Sequence, residues 1–406
     1  RAEALQQRWA EECRRMPSAQ SGGALAFADG AAQREERHLF DSVDQQLPAT
    51  GWEAVMRAAL DTDDARVANS ALQQLEQGTA DERCCSRVLR MCAARQRSAT
   101  AVGLLHRMHT VGPAPTADTF AQAVRACAKA ADVPRMWGLL SLLGTLRVVP
   151  DGRFFQYCLQ CCQQARDVSG GVRIWAIMRR LKLWPGEAGV RHAVQLYSRG
   201  GEWERARDVL REAEGAGEPA AGAHWVPVIA AAVQAKNVPA AEGLLDGLHG
   251  AARVEHFNAL LHGYAQLWAS AEAQPVRHAK AAALLKRMAA AGVQPDVVTY
   301  NCLMDLHRYD APRVRALLEE MEAAAIAPDL ISYTKAVRSC WFAQQPEQAD
   351  ALVRQMQAAG HAPDARFYHV AITAASSVGL LDHADRLHRE AAMLGLHTAR
   401  VEGRRA

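Results

Sequence analysis

The sequence predicts an all-α protein, a right-handed α-solenoid of about nine or ten helix-turn-helix repeats with a short N-terminal helical cap. Three Pro-Asp pairs, at 295–296, 328–329 and 363–364, recur at intervals of 33 and 35 residues. Each pair follows an apolar stretch that contains Leu-x-x-x-Met and precedes a β-branched or aromatic stretch. Supersecondary units at a fixed spacing indicate a solenoid. The abundance of Ala, Leu and Arg favours helix, and no alternation typical of strands persists.

The same period extends toward the N-terminus. Pro115, Pro150 and Pro185 lie 35 residues apart, and Pro219 follows 34 residues later. The period then returns at Pro295, after one unit with an unclear boundary near Ala252 and a longer internal loop. This regularity predicts repeats over most of the chain.

The repeat boundaries predict three regions: an N-terminal helical cap or extension at 1–47, the solenoid at 48–399, and a basic tail at 400–406. Within the first region, helices are predicted near 2–16 and 32–46. A cap would cover the open end of the core, and a partner-docking arm is the alternative interpretation. The predicted repeats are 48–81, 82–116, 117–151, 152–186, 187–220, 221–252, 253–296 (with an insertion near 268–278), 297–329, 330–364 and 365–399.

Apolar pairs recur in the second helices of three successive repeats. They lie 23 and 24 residues after the boundary residue of each repeat, which predicts that they pack one repeat on the next. These pairs are Leu104-Leu105, Leu139-Leu140 and Ile174-Trp175.

Net charge and hydropathy bear on two function classes, although a solenoid can still concentrate its positive charge along one face. The net charge is only +3 and the isoelectric point is about 8.4, which is less basic than expected if phosphate contacts dominated binding. No apolar run approaches the length of a membrane-spanning helix, so no membrane span is predicted.

The ten cysteines raise the possibility of a metal site, because Cys158, Cys161 and Cys162 form a C-x-x-C-C motif. Their recurrence at one position within the repeat favours a structural role instead. Four cysteines lie 11 residues after a repeat boundary, as expected for a small residue that faces a neighbouring helix. These are Cys92, Cys127, Cys162 and Cys340. Free thiols in this number suit a reducing compartment.

No motif of catalysis is present in the sequence. The His-x-Glu and Pro-Cys-x-x-Cys signature of zinc deaminases, the Walker phosphate loop and the nucleophile elbow are all missing. We therefore expect no catalytic residues, no metal and no cofactor.

The repeat sequence resembles a known family. The Pro-Asp pair at 295–296, the run Val-Thr-Tyr-Asn at 298–301 and the run Leu-Leu-Glu-Glu-Met at 317–321 resemble the pentatricopeptide repeat family, over about residues 48–399. The resemblance implies an organellar protein that binds single-stranded RNA, with one base read per repeat. It also implies import into a mitochondrion or, alternatively, a plastid, and the start at Arg1 predicts that a targeting segment has been removed.

The family's specificity positions are the residue after the Tyr of the first helix and the Asp that closes the repeat. The resemblance implies that Asn301 with Asp329 reads uracil and that Thr334 with Asp364 reads guanine. Asn258 with Asp296 implies uracil in repeat 253–296. Because the family reads RNA in parallel with the chain, these repeats are predicted to prefer 5′-UUG-3′.

The resemblance also assigns residues that sandwich a base. Val298 and Ile331 occupy this position, whereas Glu255 departs from the pattern in the preceding repeat. The alternative interpretation of the closing Asp residues and of the Asn residues is helix capping without base contact.

The specificity code weakens in the other repeats. There the pairs are Ser86/Thr116, Ala121/Asp151, Gln156/Gly186 and Arg191/Ala220, with Trp225 in the repeat that follows. Two functions remain open. The first is a non-catalytic RNA-binding protein, with ribosomal RNA and a mitochondrial ribosome as one version. The second is a structural scaffold subunit of a large organellar complex, which contacts other proteins and reads no RNA.

Overall fold

The computed structural model describes residues 2–15, 82–110, 113–216, 224–248, 250–267 and 274–396. Within these residues the chain forms nineteen α-helices and no strand. The chain divides into two compact units, Arg1–Ala220 and Ala221–Ala406. The predicted all-α solenoid is confirmed, and the described residues contain nine helix pairs.

The described residues of unit 1 form one N-terminal helix and four helix pairs. The pairs correspond to the predicted repeats that begin near 82, 117, 152 and 187. The helices are α1 (Ala2–Arg15), α2 (Glu82–Ala94), α3 (Ser98–Thr110), α4 (Ala117–Ala130), α5 (Val133–Thr145), α6 (Gly152–Ala165), α7 (Val168–Leu181), α8 (Gly186–Arg199) and α9 (Trp203–Gly215).

The part of unit 2 that the structure describes forms five helix pairs, which correspond to the predicted repeats from 221 onward. The helices are α10 (Trp225–Gln234), α11 (Val238–Gly247), α12 (Val254–Leu267), α13 (Gln274–Ala290), α14 (Val297–Leu306), α15 (Ala311–Ala323), α16 (Leu330–Phe342), α17 (Pro346–Ala358), α18 (Ala365–Ser377) and α19 (Leu381–Met393).

The recurring Asp residues begin the first helices of the repeats. Asp151, Asp296, Asp329 and Asp364 each accept a hydrogen bond from the backbone N–H three residues later. This bond satisfies one of the N–H groups that a helix start leaves without a partner. The preceding Pro disfavours helix in the residue before it, so each Pro-Asp pair separates one repeat from the next.

The turns within the helix pairs are short because left-handed residues end the first helices. Examples are Ala131 (φ 54°), Arg166 (φ 57°) and Gln344 (φ 54°). The next N–H then bonds back to a carbonyl five residues earlier, as from Asp167 to Cys162 at 2.9 Å.

The first helices of successive repeats pack side by side in each unit and form a row. The apolar pairs predicted as core are buried, including Leu104, Leu139 and Ile174. The four in-phase cysteines are also buried. Burial raises the pKa of Cys92, Cys127 and Cys162 to about 12, so these thiols remain protonated at neutral pH.

Helix α1 lies on the second helices of two repeats in unit 1, α5 and α7. Trp9 is buried there, and Arg180 of α7 donates to the Glu12 carboxylate at 2.5 Å. The predicted helix near 2–16 is therefore present. Its predicted role as a cap over the open end of the core stays a prediction.

Several predicted segments lie outside the described residues. They are the second cap helix near 32–46, the repeat 48–81, the part of the insertion at 268–273, and the tail 400–406. Among the helices that are described, none is both long and apolar enough to cross a membrane.

Candidate functional site

The candidate site lies on the first helices of unit 2. We define the first-helix surface as the side of α12, α14, α16 and α18 that carries the predicted specificity and base-sandwiching positions. The closing Asp of one repeat is also the N-cap of the next first helix, so each predicted pair joins two neighbouring helices.

In the pair of repeat 253–296, hydrogen bonds hold both ends of the Asn258 amide. Asn258 Nδ2 donates to Asp296 Oδ1 at 3.0 Å, and Asn258 Oδ1 accepts from Thr299 Oγ1 at 2.7 Å. The backbone N–H of Thr299 also donates to Asp296 Oδ1, at 2.8 Å. Asn258 is only 7% exposed. Both ends of its amide are thus held by protein groups.

The pair in repeat 297–329 is held at one end only. Asn301 Nδ2 donates to Asp329 Oδ1 at 3.3 Å. Asn301 is 6% exposed, and its Oδ1 is buried with no hydrogen-bond partner among the described residues. Ser332 takes the place of Thr299 in this repeat, but its hydroxyl donates to Asp329 Oδ1 at 2.8 Å.

The carboxylates of these two pairs are stabilised in their charged form. Burial by itself raises the pKa of Asp296, but the donors from Thr299 and Asn258 outweigh it and leave the pKa lowered. Burial of Asp329 is outweighed in the same way by Ser332 and Asn301. Both carboxylates are therefore charged at neutral pH and act only as hydrogen-bond acceptors.

The predicted pair Thr334/Asp364 has a different arrangement. Thr334 Oγ1 donates to the Leu330 carbonyl of its own helix at 2.6 Å. Asp364 caps α18 through the Phe367 N–H at 2.7 Å. The structure therefore directs the two side chains to separate backbone partners.

Val298 and Ile331, the predicted base-sandwiching residues, are exposed on the first-helix surface. Val298 is 52% exposed and Ile331 is 46% exposed. Each lies three residues before the specificity position of its helix, so Val298 shares a helix face with Asn301. Glu255 is exposed at the equivalent place in α12.

Sequence reasoning missed a charged cluster beside Asn301. Lys335 Nζ donates to Asp305 Oδ2 at 2.6 Å and to the Asn301 carbonyl at 2.8 Å, and Arg338 donates to Asp305 Oδ1 at 2.6 Å. Burial of Asp305 opposes its charge, but the two cations outweigh it and lower the pKa. The cluster carries one net positive charge.

The capping residues Thr299 and Ser332 were also missed, although the sequence contains a signal for them. Each lies three residues after the Asp N-cap, the spacing of a capping box. Both residues form that box in the structure, since each side chain accepts from the N-cap backbone N–H.

Unit 1 presents different groups at the predicted specificity positions. Ala121 is buried and has no polar side-chain atom. Thr116 Oγ1 donates to Glu82 Oε1 at 2.9 Å, and Arg125 lies over the Tyr157 ring at 5.8 Å. These positions form no series of amide and carboxylate pairs.

The described residues hold no cluster of metal-ligating side chains. No group of three or more His, Cys, Asp or Glu side chains there could hold a metal ion. The C-x-x-C-C cysteines are buried in α6, where burial raises the pKa of Cys161.

Comparison with known proteins gives a family match and structural matches. Residues 252–308 match the pentatricopeptide repeat domain family model. No curated protein matches the sequence significantly.

The structural matches are to solved pentatricopeptide repeat proteins. PPR10 from maize is 18% identical with a TM-score of 0.53, over 91% of this chain and 56% of that chain. PPR10 in complex with an 18-nt psaJ RNA element is 17% identical with a TM-score of 0.56, over 86% of this chain and 56% of that chain. This chain thus spans just over half the length of these structures, and at these identities the likeness shows the fold. Residues 252–308 thus match the pentatricopeptide repeat domain, and the chain has the fold of solved pentatricopeptide repeat proteins.

Proposed function

We propose that the first-helix surface of unit 2 binds single-stranded RNA and reads bases through Asn301 with Asp329. The observation that carries this proposal is the repetition of an amide–carboxylate pair on adjacent first helices, at Asn258/Asp296 and at Asn301/Asp329. The similar fold of PPR10 in complex with an RNA element supports it.

The side chains around Asn301 are suited to a nucleotide. Exposed Val298 and Ile331 offer apolar contacts to the faces of a base, and burial of these faces favours binding. The cluster of Asp305, Lys335 and Arg338 has one net positive charge, which attracts a phosphate.

The buried amide oxygen of Asn301 favours contact with a base. A buried acceptor without a partner costs about 1–3 kcal/mol, and an N–H from a base that reaches the rotated side chain would remove this cost. Its bond to Asp329, at 3.3 Å, is long enough to yield to such a partner.

The proposed role is non-catalytic: the protein holds RNA and affects its processing, stability or translation. The pentatricopeptide repeat family favours an organelle, the mitochondrion or alternatively the plastid. A subunit of a mitochondrial ribosome that holds ribosomal RNA and other proteins is one form of this role.

A protein scaffold is the second candidate. The observation that favours it is the composition of unit 1, where buried Ala121 occupies a specificity position. If only a few repeats of unit 2 read bases, the protein contacts only a short segment of RNA. Unit 1 would then bind other proteins of a large complex.

Binding of purified chain to short single-stranded RNAs tests the proposal. Oligonucleotides with and without 5′-UUG-3′ are compared at low and near-physiological salt. Asn301→Ala should relax selectivity at the second nucleotide of this triplet while circular dichroism shows an intact fold. Gln357→Ala, on the exposed side of α17, is the matched control and should leave selectivity unchanged.

Two results would reject base reading. The first is a folded Asn301→Ala variant that keeps full selectivity at the second nucleotide. The second is binding that is equal for all oligonucleotides and is lost at higher salt, which would favour the scaffold.

A further inference from the structure

We propose that one edge of unit 2, where its first helices end and its second helices begin, is a docking surface for a protein segment with apolar and basic side chains. We call it the turn edge and define it by one apolar residue from each of four successive helix pairs. These residues are Val276 of α13, Tyr309 between α14 and α15, Phe342 at the end of α16 and Leu381 at the start of α19. The proposal does not depend on RNA binding, because none of them belongs to the first-helix surface.

The large apolar side chains of the turn edge are exposed to solvent. Val276 is 55% exposed, Tyr309 is 56% exposed and Leu381 is 57% exposed. Phe342 is half-buried and lies against the Tyr309 ring, with the ring centroids 5.0 Å apart. Single exposed apolar residues are ordinary at protein surfaces, but a row that recurs at one place in successive repeats indicates a surface for a partner.

Contacts between neighbouring helix pairs make the turn edge continuous. Arg277, next to Val276 in α13, donates to the Leu306 carbonyl at the end of α14 at 2.7 Å. The two aromatic rings described above join the second helix pair to the third. The Gln344 side chain then donates to the Val378 carbonyl at 3.3 Å, which joins the third pair to the fourth. The four apolar residues therefore lie along one edge of the solenoid.

Acidic side chains accompany the apolar row. Asp310 is the N-cap of α15, Glu347 lies in the first turn of α17, and Asp382 lies in the first turn of α19. Acids at a helix start stabilise the helix, so these residues have a local role as well. All three are nevertheless exposed, and none forms an ion pair with a described residue. Their charges are available to a partner.

Three arginines near the turn edge have partners within the protein. Arg277 is buried. Arg308 donates to the Ala265 carbonyl at 2.8 Å, and Arg313 pairs with Glu320 at 2.6 Å. The charge that the turn edge offers to a partner is therefore negative.

This combination of apolar and acidic groups favours one class of partner. Exposed carboxylates repel the phosphates of RNA and the anionic headgroups of a membrane, and they attract Lys and Arg side chains. Apolar side chains of the partner would remove Val276, Tyr309 and Leu381 from water, which favours binding. The complementary partner is a protein segment in which Lys or Arg residues flank an apolar row.

The turn edge and the first-helix surface can be occupied at the same time. Val298 is the second residue of α14, whereas Tyr309 lies three residues beyond the end of this helix. A helix of this length spans about 15 Å, so RNA at one end leaves the other end accessible. Unit 1 presents no such row among its described residues, where no large apolar side chain is exposed.

The binding of synthetic peptides to the full chain tests the proposal. The first peptide is an amphipathic helix with a leucine face flanked by lysines. The second has glutamate in place of lysine, and the third has serine in place of leucine. Fluorescence anisotropy at near-physiological salt should show that the first peptide binds at least about tenfold more tightly than either of the others. Affinities that are similar among the three peptides, or binding by none, overturn the proposal.

Charge reversal shows whether the peptide lies beside the acids of the turn edge. Glu347→Lys combined with Asp382→Lys should weaken binding of the first peptide about tenfold, because two attractions become repulsions. The matched control combines Glu214→Lys with Glu319→Lys, since both residues are exposed and lie away from this edge. Circular dichroism checks the fold of each variant. Equal losses in the two double variants would show that only net charge matters and would overturn the assigned surface.

Tyr309→Ser tests the apolar row and separates other occupants. It should weaken binding of the first peptide about tenfold, whereas Met393→Ser, an exposed residue at the far end of α19, should not. Sedimentation velocity should show a monomer, and a dimer that Tyr309→Ser dissociates would assign the edge to a second copy instead. The affinity for short single-stranded RNA should be unchanged in Tyr309→Ser, and a loss would place RNA on the turn edge. Either of these two results overturns the proposal.

Discussion

Asn301 and Asp329 lie at opposite ends of one repeat and are joined by a hydrogen bond of 3.3 Å. Asp329 also accepts from the Ser332 N–H at 2.7 Å and so begins α16. One carboxylate therefore has two roles: it caps a helix, and it holds the amide that we propose reads a base. The capping and base-reading interpretations of the Pro-Asp motif are compatible in this structure.

The capping role of Asp329 predicts a specific pattern of stability. Asp329→Ala should lower the free energy of unfolding by about 1–2 kcal/mol, because the first N–H groups of α16 lose their acceptor. Asp329→Asn should lower the free energy of unfolding by only about a few tenths of a kcal/mol, since Asn caps helices as well as Asp does. Urea unfolding followed by circular dichroism measures both, with the exposed Asp385→Ala as control. Equal losses in the two variants at 329 would contradict capping as the source.

The packing of α1 predicts a change in protease sensitivity. Arg180→Ala leaves the Glu12 side chain, which is 3% exposed, as a buried charge without Arg180. Loss of this cation weakens the contact between α1 and α7 and favours undocking of α1, so trypsin cleavage within Ala2–Arg15 should accelerate about tenfold or more. Arg179→Ala is the matched control because the Arg179 side chain is exposed, in an ion pair with the half-buried Glu212. Cleavage rates that are equal in the two variants would show that Arg180 does not hold α1.

The space around two glycines of unit 2 predicts that their substitution by Ala changes stability in opposite directions. A Cβ at Gly263 would lie 2.0 Å from Val233 Cγ1, so Gly263→Ala should destabilise the protein by about 1–3 kcal/mol. Gly243 lies within α11 with no atom within 4 Å of an added Cβ. Gly243→Ala should stabilise by about 0.5–1 kcal/mol through helix propensity. Thermal unfolding midpoints should shift in opposite directions, and a Gly263→Ala midpoint at or above wild type would refute the close approach.

Burial of His307 predicts a loss of stability in mild acid. Burial, with a smaller contribution from His278 stacked at 4.1 Å, lowers the pKa of His307 from 6.5 to about 4. The unfolded chain therefore binds a proton between about pH 6.5 and pH 4 that the folded chain does not bind. The stability that neutral His307 contributes is present above pH 6.5 and is lost as the pH falls toward 4.

This loss can be isolated by substitution. From pH 7 to pH 5 the free energy of unfolding of the wild type should fall by about 1 kcal/mol more than that of His307→Gln, after allowance for solvent screening. The exposed His369→Gln is the control and should keep the pH dependence of the wild type. Identical pH profiles for the wild type and His307→Gln would contradict the lowered pKa.

The repeat architecture could be predicted from the sequence because each repeat encodes its own faces and boundaries. Pro-Asp pairs at intervals near 35 residues predict where α14, α16 and α18 begin, and the helices do begin directly after them. The phase of Cys127 and Cys162 predicts burial, and both are buried. Capping, turn chemistry and helical periodicity act over a few residues, so a sequence pattern can express them.

The positions of α1 and of the site hydrogen bonds depend on contacts between distant residues. Arg180 contacts Glu12 across 168 residues, and Thr299 contacts Asn258 across 41. The residue types at Asn258/Asp296 and Asn301/Asp329 are the same, and the sequence predicts the same role for both. Their amides differ because the rotamer of Thr299 or Ser332, set by packing between neighbouring helices, decides which oxygen receives a hydrogen. A periodic pattern records which face a residue occupies, but the direction of a single hydroxyl depends on atoms that only the folded chain brings together.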